Sequence, residues 1–374
     1  MNKKLFINKN DCCGCGVCMN ICRCNAIHME ENKDGFLYPV IDAERCVNCD
    51  ACKMHCPIAF HDNIAIKQHH IENYAAYMKN RHELLQSASG GAATALAKTV
   101  LSHGGVVFGV SYTENYKKSK TRKVLTIDEL PCIKDSKYMQ SDKGTVYKEV
   151  KSELEKGKEV LYTGTPCEIG AVKSFLGKDY VNFYTCELIC HGPTTYKVAK
   201  KYLDEQERIQ KSKLVKLSVR NKENGWKVPH IKLEFQNGKS VVSEFYKSDY
   251  GTGFVVMLRE SCHQCIFKGD GKVADITVGD FWGANEEDPF WNADGISAIN
   301  IHTEKGKKLL HMTNDLMLFP VSYDRILRGN IYLEASAPYD RATKLFKIGL
   351  RLFGLHNTVR LYNWYRNILA SYKR

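Results

Sequence analysis

The sequence predicts an α+β / α/β chain in two unequal parts, a small α+β lobe built around cysteines and a larger mixed α/β body. Three observations carry this prediction. One four-cysteine register occurs twice before residue 57. After about residue 70, apolar stretches alternate as strand, glycine loop, helix and strand. Further on come short strands separated by hairpin signals. The chain has 374 residues, 44% of them hydrophobic, which allows two or three domains with a buried core and argues against global disorder.

The first part opens on "DCCGCGVCMNICRC", six cysteines in fourteen residues, 11 to 24. The register Cys12-x2-Cys15-x2-Cys18-x3-Cys22 returns as Cys46-x2-Cys49-x2-Cys52-x3-Cys56, followed by Pro57. This is the bacterial ferredoxin run, in which three thiolates of one run hold a cubane and the fourth comes from the other run. Cys12, Cys15, Cys18 and Cys56 are therefore assigned to one [4Fe-4S] cluster, and Cys46, Cys49, Cys52 and Cys22 to a second. Short x2 loops wrap three iron corners, and Gly14 and Gly16 permit the tight turns. A pair of zinc knuckles is the alternative, but zinc sites rarely use this spacing. "GFLYPVID", residues 35–42, reads as the strand between the runs. A lobe of about 65 residues has little core, so its clusters are expected to supply much of its stability. Arg23 stands where proline normally follows the first run, and a cation there should raise the potential of its cluster. Cys13 and Cys24 are left over as spectators.

In the body, "ENYAAYMK" reads as a strand, "SASGG" (residues 87–91) as a loop, "AATALAKTVLSH" as a helix and "VVFGVSY" as the next strand. Together they suggest a βαβ unit whose Ser/Gly loop offers N–H groups to phosphate at a helix start. The loop is not G-x-G-x-x-G, and no P-loop occurs, so nicotinamide and ATP readings lack support. "TVYKEVKSELEKG" is an amphipathic helix and "KEVLYTG" a strand. "GTPCEIG" (residues 164–170) is a turn at a strand end, with a helix from about Ala171. "YVNFYTCELICHGPTT", "KLVKLSVRNKENGWKV", "HIKLEFQNGKSVVSEFY" and "DITVGDFWG" add strands, with a hairpin signal at Asn237-Gly238. Cys167, Cys190, Cys262 and Cys265 fall in Gly-rich loops or a CxxC turn, which leaves a third metal site open. Cys132 and Cys186 read as structural.

The formal charge is +12, and from Asp340 to Arg374 eight cations face one acid. Apolar residues at helical spacing there suggest a basic amphipathic tail that packs on the body or docks on an acidic protein or an anionic membrane. No nucleic-acid-binding motif accompanies the charge. "MNKKLFINKN" has no apolar stretch of signal-peptide length, and no run of about 18 apolar residues occurs. A cytoplasmic location without a membrane span is expected, where clustered thiols serve as metal ligands rather than disulfides.

Six segments occur in an order that resembles one family: "SGGAATAL", "SKYMQSDKG", "YTGTPCEIGAV", "ICHGPTTY", "RNKENGW" and "CHQCIF…ADITVGDFWG". Over residues 73–325 the chain resembles beta subunits of coenzyme F-420-reducing hydrogenases and dehydrogenases. The fused cysteine module looks like that of bacterial relatives associated with polysaccharide biosynthesis. The resemblance implies a mixed α/β flavin-binding domain with FAD, or FMN, and a third [4Fe-4S] cluster on Cys167, Cys190, Cys262 and Cys265. It implies flavin contacts from Ser89, Gly90, Gly91, Lys137, Tyr138, Ser141, Thr165 and Pro166. The "GDFWG" loop either lines the site or forms a β-bulge around a core Trp282. The expected division is 1–68 for the two-cluster module, 69–150 and 151–335 for the two parts of the flavin-binding region, and 336–374 for the tail.

The expected function follows from electron count. Clusters move single electrons, whereas a flavin exchanges singles for pairs. The chain is expected to be an iron–sulfur flavoprotein oxidoreductase passing electrons between reduced ferredoxin or flavodoxin and a two-electron acceptor. The alternative is a non-catalytic electron-transfer subunit serving a partner enzyme. His191 is the candidate acid, Lys222 and Trp226 are alternative contacts, and Asp280 reads as a turn residue.

Overall fold

The computed structural model describes residues 2–3, 7–66, 71–340 and 342–371. The expected 68/69 boundary and the tail cations Arg341, Lys373 and Arg374 lie outside them.

The module contains β1 (Asn2–Lys3), α1 (Val17–Ile21), β2 (Ile27–Glu31), β3 (Leu37–Asp42) and α2 (Ala51–Met54). Its strands pair antiparallel in the order β1-β3-β2. Each cysteine run wraps a loop and then feeds a single helical turn. Gly16 and Asp50, both left-handed, set the starts of those turns.

The body begins with β4 (Glu72–Met78), α3 (Arg81–Leu85), α4 (Ala92–Ser102), β5 (Val106–Tyr112), β6 (Ser119–Val124), α5 (Val146–Glu155), β7 (Val160–Gly164), α6 (Pro166–Leu176) and β8 (Phe183–Leu188). It continues with α7 (Tyr196–Gln210), β9 (Leu214–Asn221), β10 (His230–Phe235), β11 (Ser240–Glu244), α8 (Asp249–Val256), β12 (Ile276–Asp280), β13 (Ser297–Ile301), α9 (Glu304–Met312), β14 (Leu316–Pro320) and α10 (Tyr323–Gly329). Two helices, α11 (Thr343–Leu352) and α12 (Gly354–Ser371), close the described chain.

Eight strands form the main sheet in the order β14-β4-β13-β12-β8-β7-β5-β6. The central β12, β8, β7 and β5 run parallel, with antiparallel strands on either side. The core around Leu96, Val100, Leu309 and Leu310 puts α4 and α9 on one face. Tyr147, Val150, Val172 and Phe175 of α5 and α6 cover the other face. A second antiparallel sheet, β11-β10-β9, shares a core with α7, α8, α11 and α12. The architecture is mixed α/β behind a ferredoxin-like lobe, as the sequence predicts.

Two local expectations need correction. The β4–α4–β5 segment is not a unit of adjacent strands, because four strands lie between β4 and β5. Strands from much later in the chain insert there, which local periodicity cannot register. The second concerns α6, which starts at Pro166 rather than near Ala171. Thr165 caps it with a capping box to Glu168 and proline sits in its first turn, so Cys167 is helical.

The module shares a core with the body. Cys15 and Val17 are buried, and Cys13, Ile58 and Ile64 are partly buried, in the cluster of Val146, Tyr147 and Phe267. Tyr147 Oη donates to Cys15 O at 2.8 Å, Asn20 Nδ2 to Gly144 O at 2.8 Å and Ser174 Oγ to His55 O at 2.7 Å. Buried Arg259 donates to Leu37 O at 2.9 Å, Cys12 O at 3.3 Å and Gln140 Oε1 at 2.6 Å, and lies 4.5 Å from the Tyr38 ring centroid. Gly14, at φ +66°, passes so close that a Cβ would stand 2.5 Å from Arg259 Nη2. Packing against the body therefore adds to whatever the clusters contribute to the lobe.

Candidate functional site

The parallel strands all end on one side of the sheet, where open α/β folds place ligands. β7 delivers Thr165 and Cys167, β8 delivers Cys190 and His191, and β12 delivers Asp280 and Trp282. The Ser87–Gly91 loop after α3 joins them, because β4 runs parallel to β12.

Cys12, Cys15 and Cys56 are buried and Cys18 partly so. Burial raises the Cys18 thiol well above its ordinary range, and crowding by Cys12 and Cys56 adds to this. Cys56 is likewise raised by burial, with Cys12 among its neighbours. The second set lies nearer solvent. Cys49 is exposed, and Cys52 is raised by burial with Cys46 and Cys22 beside it. Buried thiols that repel one another's charge are a donor set that needs a polycation to ionise. Among the described residues no three donors converge on a single metal ion. A cubane gives each thiolate its own iron corner, so its sulfurs need not converge. Arg23 is exposed. The buried cation acting on Cys12 of the first set is Arg259, while Arg23 adjoins Cys22 of the second.

A third group of thiols lies further in. Cys167, Cys262 and Cys265 line a cavity of about 260 Å³, with Cys13 and Cys15 of the module on its walls. Burial raises the Cys190 thiol above its ordinary range; Lys268 opposes the rise, and the nearby Cys262, Cys167 and Cys265 add to it. Gly192, at φ +127°, lets the loop after β8 pass Cys262, whose Sγ would be 3.1 Å from a Cβ there. Cys15 of the first module set thus faces the same cavity as Cys167, Cys262 and Cys265, while Cys190 stands outside its lining. Cys13, expected to be idle, sits between Cys15 and Cys167. Cys24 faces solvent.

Two further cavities continue the line. One of about 190 Å³ shares Gln140, Thr165, Glu168 and Pro193 with the thiol cavity. Gly91, Ala93, Thr94, Lys137, Tyr138 and Ser141 also line it. Glu168 organises this wall, accepting from Thr165 N at 3.0 Å, Ser141 Oγ at 3.3 Å and Lys143 Nζ. Burial holds the Lys137 ammonium down to about 8. Tyr138 stacks on Phe254 with ring centroids 4.5 Å apart. The other cavity, of about 450 Å³, shares Ala88, Ala93, Ser136, Tyr138 and Leu188 with the 190 Å³ one. Ser89, His191, Tyr246, Asp280, Trp282 and Tyr332 are on its walls.

The structure redistributes several expected roles. Ser89 Oγ donates to Ile296 O at 2.8 Å, while Gly90 N donates to Ser297 Oγ at 2.9 Å. A Cβ on Gly90 would collide with Ala76 O and Ser297 N. These two residues seat the loop on the sheet, while Ala93 and Thr94 at the start of α4 line the 190 Å³ cavity. Lys222 Nζ donates to Leu84 O at 2.7 Å and Ser89 O at 2.5 Å, bracing the loop from outside the cavity lining. Trp226 is buried behind Trp282, their rings 5.8 Å apart. Pro166 occupies the first turn of α6, outside the lining. His191 reaches the larger cavity with Nδ1 unpartnered among the described residues, and burial pushes its imidazole down to about 4. Asp280 is no turn residue. It ends β12, half-buried against the buried Arg220, whose guanidinium also lies 5.1 Å from the Trp282 ring centroid. Burial raises the Asp280 carboxyl while Arg220 opposes the rise. Sequence reasoning missed this pair, because its members stand on different sheets.

Comparison with known proteins follows this geometry. Residues 157–318 match the family described as the C terminus of the coenzyme F420 hydrogenase/dehydrogenase beta subunit. Residues 11–59 match the 4Fe-4S dicluster domain. Residues 157–318 are thus similar to the C terminus of that beta subunit, and a dicluster domain precedes them in the chain. The dicluster match marks residues 11–59 as an iron–sulfur module. A chain in the F420-reducing [NiFe] hydrogenase complex from Methanosarcina barkeri has a similar fold, with TM-score 0.51 and 16% identity, over 76% of this chain and 94% of that one. No curated protein matches the sequence. Among the described residues, no helix is long and apolar enough to cross a membrane.

Proposed function

We propose that this chain is a cytoplasmic flavin-dependent oxidoreductase that passes electrons between a ferredoxin or flavodoxin and a two-electron acceptor. The observation that supports this is the run of compartments with shared walls. The outer thiol set adjoins the buried set, the buried set opens on the Cys167/Cys262/Cys265 cavity, and two cavities of about 190 and 450 Å³ follow. The residues present suit three [4Fe-4S] clusters on Cys12/Cys15/Cys18/Cys56, Cys46/Cys49/Cys52/Cys22 and Cys167/Cys190/Cys262/Cys265. They also suit FAD or FMN against Gly91, Lys137, Tyr138, Ser141 and Thr165. When bound, these groups supply single-electron transfer and its conversion to electron pairs.

The chain's own residues bind, orient and exclude. Arg259 and Tyr147 hold the module against the inner cavity, so the first thiol set keeps a fixed place. Lys137 supplies positive charge for an anionic cofactor group. Phe254 holds Tyr138 flat on the wall between the two cavities. In the larger cavity the unpartnered His191 Nδ1 is positioned to hold a proton or accept one from a bound acceptor. The exposed Val47 and Met54 beside the outer thiols offer a docking point for the electron partner.

The test is anaerobic purification, identification of the released flavin, and reduction by reduced ferredoxin followed by reoxidation with small acceptors. Turnover by the isolated chain supports the proposal. A reducible chain that turns over only with a partner enzyme supports the non-catalytic reading, and a chain without flavin overturns both forms of the flavin assignment.

A further inference from the structure

The C-terminal helices carry a surface that electron transfer does not use. In α11, Phe346 and Leu350 face the core shared with the second sheet. On the opposite side of the same helix Leu345, Ile348 and Leu352 point to solvent, the first and last of them 63% and 68% exposed. Their i, i+3, i+7 spacing makes a continuous stripe. Phe353 is exposed at the junction with α12, and Leu361 and Trp364 are exposed along α12. Trp364 is 64% exposed, while the other three tryptophans are buried or half-buried.

The charged residues of the segment itself have one sign. From residue 341 to 374 the sequence holds eight cations and no aspartate or glutamate. Lys347 is paired with Glu260 at 2.8 Å and Arg351 with Asp34, which tie α11 to the body and to the module, and Arg366 of α12 is 3.7 Å from Asp340. Lys344 and Arg360 are exposed and make no ion pair among the described residues. A second copy of the chain would bring cations against cations. A bilayer with anionic headgroups matches both features at once, taking the apolar stripe into its interface and the cations onto its phosphates. With 18 residues, α12 spans about 27 Å, and neither helix is apolar enough to cross, so both would lie in the plane of the interface.

We propose that α11 and α12 form a docking surface for an anionic lipid bilayer, with Leu345, Ile348, Leu352, Phe353 and Trp364 inserted and Lys344 and Arg360 on the headgroups. The proposal is independent of the electron-transfer reading. Because Arg351 joins Asp34, docking would bring the cluster module close to the same lipid face.

The experiment is co-sedimentation of the full holoprotein with vesicles of phosphatidylcholine, with and without phosphatidylglycerol, while tryptophan emission is followed. Binding only to phosphatidylglycerol vesicles, weakened by salt and accompanied by a blue shift, is expected. Lys344→Gln with Arg360→Gln should weaken it about 30-fold, since each surface cation contributes roughly 1 kcal/mol. Leu352→Ser with Trp364→Ser should abolish the blue shift and most of the binding. All four side chains are exposed, so iron content and cluster absorption should stay unchanged and exclude misfolding. Equal binding to neutral vesicles, or none to either, overturns the proposal. So does vesicle binding that both variants leave intact, self-association lost in Leu352→Ser, or an acidic protein partner whose binding alone the variants weaken.

Discussion

Replacing Cys262 and Cys265 together by alanine tests the innermost part of the proposed electron path. Both line the 260 Å³ cavity with Cys167, and Cys190 lies within electrostatic reach of all three. Three four-thiol sets imply about twelve irons per chain. Removing two of four ligands leaves a cubane without support on one side, so the variant should hold about eight irons and lose about a third of the cluster absorption. The perturbation is local, because alanine enlarges a cavity that already exists, and the module cysteines keep their contacts with Tyr147 and Arg259. Anaerobic iron and sulfide analysis, with electron paramagnetic resonance of the reduced protein, reads the outcome. Reduction of the flavin by reduced ferredoxin should be lost in the same variant, while reduction of the module clusters persists. Cys13 lines the same cavity, so Cys13→Ser separates a ligand from a neighbour; it should leave iron unchanged. An unmodified chain with about eight irons, or a double variant with undiminished iron, refutes the reasoning.

Other outcomes follow from single contacts. Lys272 and Glu187 are a buried pair at 2.8 Å, so Lys272→Met should cost about 3–5 kcal/mol in chemical denaturation, and adding Glu187→Leu should recover much of it. Arg259→Met strands Leu37 O, Cys12 O and Gln140 Oε1, so the module should become protease-sensitive at a cost of about 3 kcal/mol. It should also lower the midpoint potential of the first cluster in a redox titration, because a positive charge beside Cys12 is lost. Lys137 is an ammonium below about pH 8 and a neutral amine above it. Affinity for a flavin phosphate should therefore be highest below pH 8 and fall about tenfold as pH rises through it, measured by fluorescence titration, with Lys137→Met removing that dependence.

The cluster module was readable because its information is local. Each run wraps its own turns, and spacing alone places three thiols. The hairpin at Asn237-Gly238 and the helix α4 were readable for the same reason. The start of α6 was present as Thr-Pro-Cys-Glu, a capping signal passed over in favour of the glycine turn before it. β6, β13 and β14 went unread, since β6 alternates with lysine and arginine and β14 is a short edge strand ending at Pro320. Arg220 and Asp280 lie 60 residues apart and Arg259 is far from Cys12, so no periodicity could pair them.

The sequence by itself determined the two four-cysteine runs of the module, several of the body's strands and helices, and the excess of cations in the tail. These depend on spacing and composition, which act over a few residues. Only the tertiary structure decided that β7, β8 and β12 lie side by side and end together. That alignment gathers Cys167, Cys190, Asp280 and the loop at Ser89 on one side of the sheet. It also decided which face of α11 is covered. Strand order is set by burial across the whole sheet, and that is a property of the packed chain rather than of any segment.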